Sequence, residues 1–381
     1  MTKQLFHCPK CNSPKTVWNM KARRQRICRN CGSLYTLDGG ASIAGAMEEL
    51  KDLRIESKEN AKQLAALEKS FNLLTKLSNA DKSPPKWMSP KKAKNDHATA
   101  SVMLSDLHLD EIVYADQVNF VNAYSRKIAK RRMKLFFENT IKLARDHMAG
   151  IELDGLVLNL GGDMVSGNIH EELKISNEDG IMSTVLYWTE QLIAGIEMVA
   201  EEFPHIYIPC VTGNHGRNSM KPVKKGRNTD NFDWLIYKML EMHFKNHGGG
   251  HDIVFDIPMG TDCRYNVYKT RYQLTHGDQF RGGGGISGIW TPINLGDHRK
   301  RQREQATNTP YDILLMGHFH QLIDGGKFMI NGSLKGYDEY AYSCNFGFEL
   351  PRQLFWLTDP IHGKTITAPI HVYKKGEGWE A

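Results

Sequence analysis

The chain has 381 residues, 40% of them hydrophobic and 24% charged, with a formal net charge of +6. This composition is ordinary for a soluble protein and is enough for a core. The longest apolar runs fall far short of a membrane span and nothing reads as a signal peptide, so the expectation is a cytoplasmic protein with no membrane partner.

In chain order, the first predicted element is small and basic. Residues 1–40 set eight Lys and Arg against Asp38 alone, a net +7. Cys8-Pro9-Lys10-Cys11 and Cys28-Arg29-Asn30-Cys31 are two knuckles separated by residues 12–27, the spacing of a four-cysteine structural zinc site. Four thiolates fill a tetrahedral shell, so this zinc would be structural and not catalytic. The segment between the knuckles has few apolar residues and is expected to fold only around its metal. The remaining cysteines, Cys210, Cys263 and Cys344, are scattered and odd in number, which fits a reducing compartment better than a disulfide framework. A basic ribbon of this kind suits a polyanion, with a solvated basic face or a protein-docking module as the alternatives. Trp18 and Tyr35 either stack on bases or pack around the zinc.

Residues 41–97 are read as a helical segment followed by a linker. A helix is expected over about Ile43–Leu77, where Leu50, Leu53, Leu64, Leu67, Phe71 and Leu74 recur in steps of three and four. It serves either as a short coiled coil, pairing two copies through residues 43–77, or as a helix packed on the rest of the chain. Ser78–Asn95 holds three prolines and five lysines and reads as an exposed linker.

The third region, residues 98–381, carries five short motifs, each ending a run with strand character. Ala98–Ser105 leads to Asp106-Leu107-His108, Gly155–Leu160 to Gly161-Gly162-Asp163, and His205–Val211 to Gly213-Asn214-His215. Tyr265–Leu274, read as one strand, leads to His276-Gly277-Asp278, and Asp312–Met316 leads to Gly317-His318-Phe319-His320. In sheets covered by helices, ligands bind beyond the carboxyl ends of strands, so groups far apart in sequence can converge there. Carboxylates, imidazoles and one amide suit a pair of divalent cations, manganese first, with iron or zinc as alternatives. Two such cations form a device for hydrolysing phosphate esters.

The five blocks, in this order over residues 98–345, resemble the calcineurin-like metallophosphoesterase superfamily, and Ser105-Asp106-Leu107-His108-Leu109 most resembles its nuclease branch. The resemblance implies an α+β fold of two packed β-sheets flanked by helices. It also implies that Asp106, His108, Asp163 and His320 hold one metal, that Asp163, Asn214, His276 and His318 hold the other, and that His215 is the catalytic histidine. Family members often place an acid directly after that histidine, to orient it and raise its pKa. Here Gly216 and Arg217 follow, so His215 needs another orienting group, and Arg217 is a candidate for charge stabilisation.

Other cations and histidines are read more blandly. His170 either lines a substrate cleft or starts a helix. Asp110, Asp278 and His298 are expected to be structural or to support the ligands. The basic helix Arg126–His147 is read as a solvated face. Arg217–Arg227, Arg281–Gly288 and Asp297–Arg303 are read as flexible cationic loops suited to a phosphate backbone, with Arg281 a candidate substrate contact. The run Arg281-Gly282-Gly283-Gly284-Gly285 is not a nucleotide-binding fingerprint, since no helix signal follows it. The expected activity is phosphodiester hydrolysis on DNA or RNA in replication, repair or recombination. The alternatives are a phosphatase or phosphodiesterase for small nucleotides or phosphoproteins, and a nucleic-acid-binding scaffold with a decayed site.

Overall fold

The computed structural model describes residues 7–18, 25–36, 43–78, 85, 88, 97–247, 250–281 and 288–373. The chain divides into two compact units, residues 1–83 and 84–381. The first contains a three-stranded antiparallel sheet, β1 (Thr16–Trp18), β2 (Gln25–Cys28) and β3 (Leu34–Thr36), and a 36-residue helix, α1 (Ile43–Ser78). Residues 50–68 of α1, including Leu50, Leu53, Ile55, Leu64 and Leu67, are all exposed. No helix among the described residues is long and apolar enough to cross a membrane.

The second unit begins its regular structure with β4 (His97–Leu104), α2 (Arg126–Lys142), β5 (Glu152–Leu160), α3 (Glu171–Ser176), α4 (Ile181–Ala200) and β6 (His205–Pro209). It continues through α5 (Phe232–His247), β7 (Asp252–Asp256), β8 (Asp262–Val267), β9 (Thr270–Thr275), α6 (Trp290–Ala306), β10 (Ile313–Met316), β11 (Ile323–Asp324) and β12 (Phe328–Ile330). It ends with α7 (Glu339–Ser343), β13 (Arg352–Asp359) and β14 (Gly363–His371). Two mixed sheets result, one ordered β14-β13-β4-β5-β6-β7 and one β11-β12-β10-β9-β8.

Side-chain alternation explains the layering, because successive residues of a strand point to opposite faces. On β4, Val102 and Leu104 pack with Trp188, Leu192 and Ile196 of α4, whereas Met103 joins the layer between the sheets. On β13, Phe355 and Leu357 face the helices, while Leu354 and Trp356 face the other sheet. On β10, Leu315 faces the inter-sheet layer, and Leu314 and Met316 pack with Ile293 of α6. Every residue of β4 is buried, as expected for a strand covered on both sides. The architecture is the expected one: two sheets packed face to face, with helices outside.

Five expectations need correction. The run Tyr265–Leu274 is not one strand but a hairpin, β8 and β9, turning at Tyr268 and Lys269. Tyr268 has φ +53° in this turn, and without glycine the turn leaves no sequence signal. A helix does follow the glycine run, since α6 starts at Trp290 with Pro292 in its first turn, where proline is tolerated. Residues 282–287 of that run lie outside the described residues. Asp297–Arg303 is not a flexible cationic loop but part of α6. Its Lys300 and Arg303 pair with Asp262, and Arg301 pairs with Asp297. On the basic helix, Arg132 is buried, because its guanidinium serves the carbonyls of Leu334 and Lys335 and the side chain of Asn122. Of the expected linker, residues 79–84, 86–87 and 89–95 lie outside the described residues, whereas Met88 is buried between the sheets and its carbonyl accepts the N–H of Tyr268.

Candidate metal centre

Five strand ends build the centre. β4, β5 and β6 run parallel in one sheet, and β9 and β10 run parallel in the other. Asp106 and His108 follow β4, Asp163 follows β5, Asn214 and His215 follow β6, His276 follows β9, and His318 and His320 follow β10. Asp106, His108, Asp163, His318 and His320 all adopt positive φ, between +48° and +69°. Such conformations cost non-glycine residues of order 1 kcal/mol each and cluster where side chains must be aimed.

Backbone hydrogen bonds lock these loops to one another. The carbonyl of Asp163 accepts the N–H groups of Leu107 and His108 at 2.9 and 3.1 Å. Carboxylate Oδ1 of Asp163 accepts the N–H of His215 at 2.7 Å, and Oδ1 of Asp106 accepts that of His318 at 2.8 Å. Gly213 is needed for close approach, because a Cβ there would strike the carboxylate and backbone nitrogen of Asp163.

The donor atoms fall into three overlapping groups, each within 4.8 Å: Asp106, His108 and His320; His108, Asp163 and His215; and Asp163, His276 and His318. Asn214 joins the last through Oδ1, 3.2 Å from His276 Nε2. His276 donates from Nδ1 to the carbonyl of Gly161 at 2.9 Å, which aims Nε2 at Asp163 Oδ2, 3.0 Å away. That is the tautomer-fixing contact typical of ligating histidines. Burial opposes a charged His276, but Asp163 outweighs it and pushes the imidazole up to about 10. Burial likewise works against ionised Asp163, yet His276 and His215 hold it well below the usual carboxylate range. Burial pulls His318 down to about 4 and His108 well below its ordinary value.

The donor set fits divalent cations. Asp106 and Asp163 are almost fully buried, and among the described residues neither pairs with Lys or Arg. Buried carboxylates without a strong counter-charge are costly. His108 Nε2 faces His320 Nε2 at 3.1 Å, and among the described residues His108 Nδ1 has no hydrogen-bond partner. Two imidazole nitrogens and two carboxylates turned toward common points suit mixed N/O coordination.

His215 sits beside these groups, its ring 4.4 Å from that of His108. Its Nδ1 donates to the carbonyl of Ser166 at 2.9 Å, which leaves Nε2 to act on a substrate. The Ser166 carbonyl thus orients the ring with no acid at 216. An acid could not be accommodated there, because a Cβ on Gly216 would strike the side chains of Asn231 and Asp233. Burial lowers the His215 pKa, opposed by the charges of Asp163 and Glu111. Arg217 is held by its guanidinium, which donates to the carbonyls of Asn214, Ser219 and Met220. His170 precedes the first turn of α3, and its exposed ring is 6.2 Å from that of His215. Arg281 is exposed and, among the described residues, makes no hydrogen bond to the centre. Asp110 binds Arg126, Thr184 and Trp188, Asp278 binds Arg227, and His298 is exposed on α6.

The sequence did not reveal several supporting groups. Asp233, at the start of α5, accepts the N–H groups of Asp163, Met164 and Gly213. Burial and the charge of Asp163 push its carboxyl up to about 6. Ser105 donates to Asp106 Oδ2 at 2.5 Å and accepts from Asn331. Buried Lys335 bridges Glu111 at 2.8 Å and Asp338 at 2.5 Å, and Glu111 lies 3.5 Å from His108 Nδ1.

In the first unit, two matching turns bring the four thiols together. Asn12 N–H donates to Cys8 O and Gly32 N–H to Cys28 O, both at 2.8 Å. Cys8 Sγ lies 3.7 Å from Cys31 Sγ and Cys11 Sγ 3.6 Å from Cys28 Sγ. The hydroxyl of Ser33 brings the Cys8 thiol down to about 6, favouring the thiolate that binds metal.

No family model and no curated protein matches the chain in sequence. Among solved structures, it is similar to a conserved uncharacterised protein from Streptococcus pneumoniae TIGR4 described as a predicted phosphoesterase. The two are 14% identical, with 73% of this chain and 94% of that one covered and a TM-score of 0.29. It is also similar to Vacuolar Protein Sorting 29 of Cryptosporidium parvum (14% identical, 72% and 97% covered, TM-score 0.28). A third is Vps29 of Entamoeba histolytica complexed with zinc (10% identical, 72% and 100% covered, TM-score 0.26). The functional reading rests on the chain's own residues.

Proposed function

We propose that this chain is a metal-dependent phosphodiesterase acting on nucleic acid, a nuclease of the calcineurin-like kind. The observation that carries the reading is that two donor groups, Asp106, His108 and His320 on one side and Asp163, His276 and His318 on the other, stand at the ends of strands and are linked by a third group in which Asp163 meets His108. Asp106, His108, Asp163 and His320 would hold one cation, and Asp163, Asn214, His276 and His318 the other. When bound, such a pair supplies a nucleophile at neutral pH and neutralises phosphate charge. The chain's part is to aim the ligands through left-handed loops and Asp233, and to offer His215 Nε2, oriented by the Ser166 carbonyl, as a proton donor to the leaving oxygen.

Nucleic acid is favoured over a small substrate by the distribution of charge. Lys221, Lys224 and Lys225 are exposed on the segment that follows Asn214 and His215, and Arg227 anchors that segment to Asp278. The ribbon adds its +7 and would hold one structural zinc through Cys8, Cys11, Cys28 and Cys31. The exposed leucines of α1 support pairing of two copies through residues 43–77.

The test is turnover of the purified protein with manganese on single-stranded DNA, duplex DNA, RNA and bis(4-nitrophenyl) phosphate. Cleavage of a polynucleotide supports the nuclease reading. Turnover confined to the small diester would select the small-substrate phosphodiesterase alternative.

A further inference from the structure

Beyond β12 the chain exposes a cluster of aromatic rings. Tyr340, Tyr342, Phe346 and Phe348 are 65%, 47%, 52% and 53% exposed. Exposed aromatic patches of this kind mark interaction sites. The segment that bears them is well tied. The Tyr337 hydroxyl donates to Phe346 O at 2.9 Å, and its ring meets those of Phe348 and Tyr342 at 5.4 and 6.3 Å. Tyr340 and Phe346 meet at 5.7 Å. Asp338 accepts the N–H of Ala341 and pairs with buried Lys335.

The same segment borders the metal centre. Glu349 accepts the N–H of Leu322, two residues past His320, and Lys335 and Glu111 link the base of the segment to His108. The exposed lysines of residues 221–225 follow the proposed ligand Asn214 and its neighbour His215 within about ten residues of sequence. Cations are thus carried by one segment that leads away from the centre and exposed aromatic rings by another that is tied to it. Polyanionic backbone with unpaired apolar bases is the chemistry that matches both, and base–aromatic stacking tolerates any sequence. A duplex hides its base faces, and a mononucleotide has one base to offer four rings.

We propose that residues 337–350 form a base-stacking shelf for single-stranded nucleic acid, a reading that rests on the phosphodiesterase assignment above. The test compares full-length wild type with Tyr340→Ala, Phe346→Ala and Phe348→Ala in manganese. The substrates are a single-stranded oligodeoxynucleotide, its RNA counterpart, the same oligodeoxynucleotide with consecutive abasic sites, and bis(4-nitrophenyl) phosphate. Each variant should lose roughly 10-fold in kcat/KM on the single strands, with no change on the small diester. Wild type should lose a similar factor on the abasic strand, where the variants should lose nothing more. Tyr340→Trp, which keeps a ring, should retain wild-type turnover.

Wild-type cleavage of single strands that the alanine variants match would overturn the shelf and leave the phosphodiesterase reading standing. Equal losses on the small diester would make the segment a support of the centre, and altered sedimentation of the variants would make it a protein contact. Either overturns the shelf. Wild-type turnover of the diester with no action on any oligonucleotide would remove the nucleic-acid reading and the shelf together.

Discussion

The carboxylate of Asp233 holds the backbone of Asp163 from beneath, its Oδ2 accepting the N–H of Asp163 at 3.0 Å and that of Gly213 at 2.9 Å. Two ligand loops from different strands therefore depend on one side chain that binds no cation itself. Asp233→Asn would turn an amide NH₂ toward N–H groups it cannot satisfy. A loss of about 1–3 kcal/mol in stability is expected from unsatisfied buried groups. Denaturant unfolding of the metal-free variant checks this, and metal affinity should fall by about 10–100-fold, the usual cost of removing such support.

His215 should act on the reaction and not hold metal. His215→Ala is expected to keep both cations and lose about 10²–10⁴-fold in rate. The loss should shrink on esters with good leaving groups, because these need little proton donation. Elemental analysis showing metal loss would make His215 a ligand, a reading its place in one donor group makes worth checking.

The buried Lys335–Asp338 pair gives an acid-dependent contribution to stability. Burial alone would raise the Asp338 carboxyl, but the Lys335 ammonium outweighs it and brings the group down to about 2. A folded-state pKa below the unfolded one stabilises above the unfolded value and is lost as pH falls through the folded value. The contribution should thus be full above about pH 4 and vanish near pH 2, roughly 2–3 kcal/mol across that window. Asp338→Asn should flatten this limb of the stability curve of the metal-free protein, measured by denaturant midpoint at about pH 5 and about pH 2.5.

A chain beginning at Pro84 should keep turnover of a small chromogenic diester, since it retains Met88, whose carbonyl caps the β8–β9 turn. It should bind nucleic acid more weakly, with affinity falling less steeply with salt, because fewer phosphates are neutralised. Equal binding by the short and full-length chains across a salt series would make the ribbon a structural or protein-docking element.

The candidate ligands could be picked out in sequence because each stands within a few residues of an apolar strand run, and strand ends of a covered sheet converge. The two-sheet architecture was implied by the resemblance of the five blocks, not by the runs themselves. What supports the ligands was not legible. Asp233 comes from the start of a helix and Lys335 from a loop after β12, and neither sits in a spacing that separates it from an ordinary surface charge. The β8–β9 hairpin was hidden because Tyr268, not glycine, takes the left-handed turn position. Arg132 looked like one more cation on a basic face, and only the carbonyls of Leu334 and Lys335, far along the chain, show why it is buried.

The central claim is that Asp163 joins two cations that hydrolyse a phosphate diester. The most direct measurement is turnover of bis(4-nitrophenyl) phosphate with manganese by wild type and Asp163→Asn, alongside bound metal per chain. Wild type should be active, chelator-sensitive and bind two manganese ions besides the zinc, while the variant should lose at least about 10³-fold in rate and its paired metal, since the shared charge is gone. Chelator-insensitive turnover, or a variant that keeps most of its activity, would contradict the account.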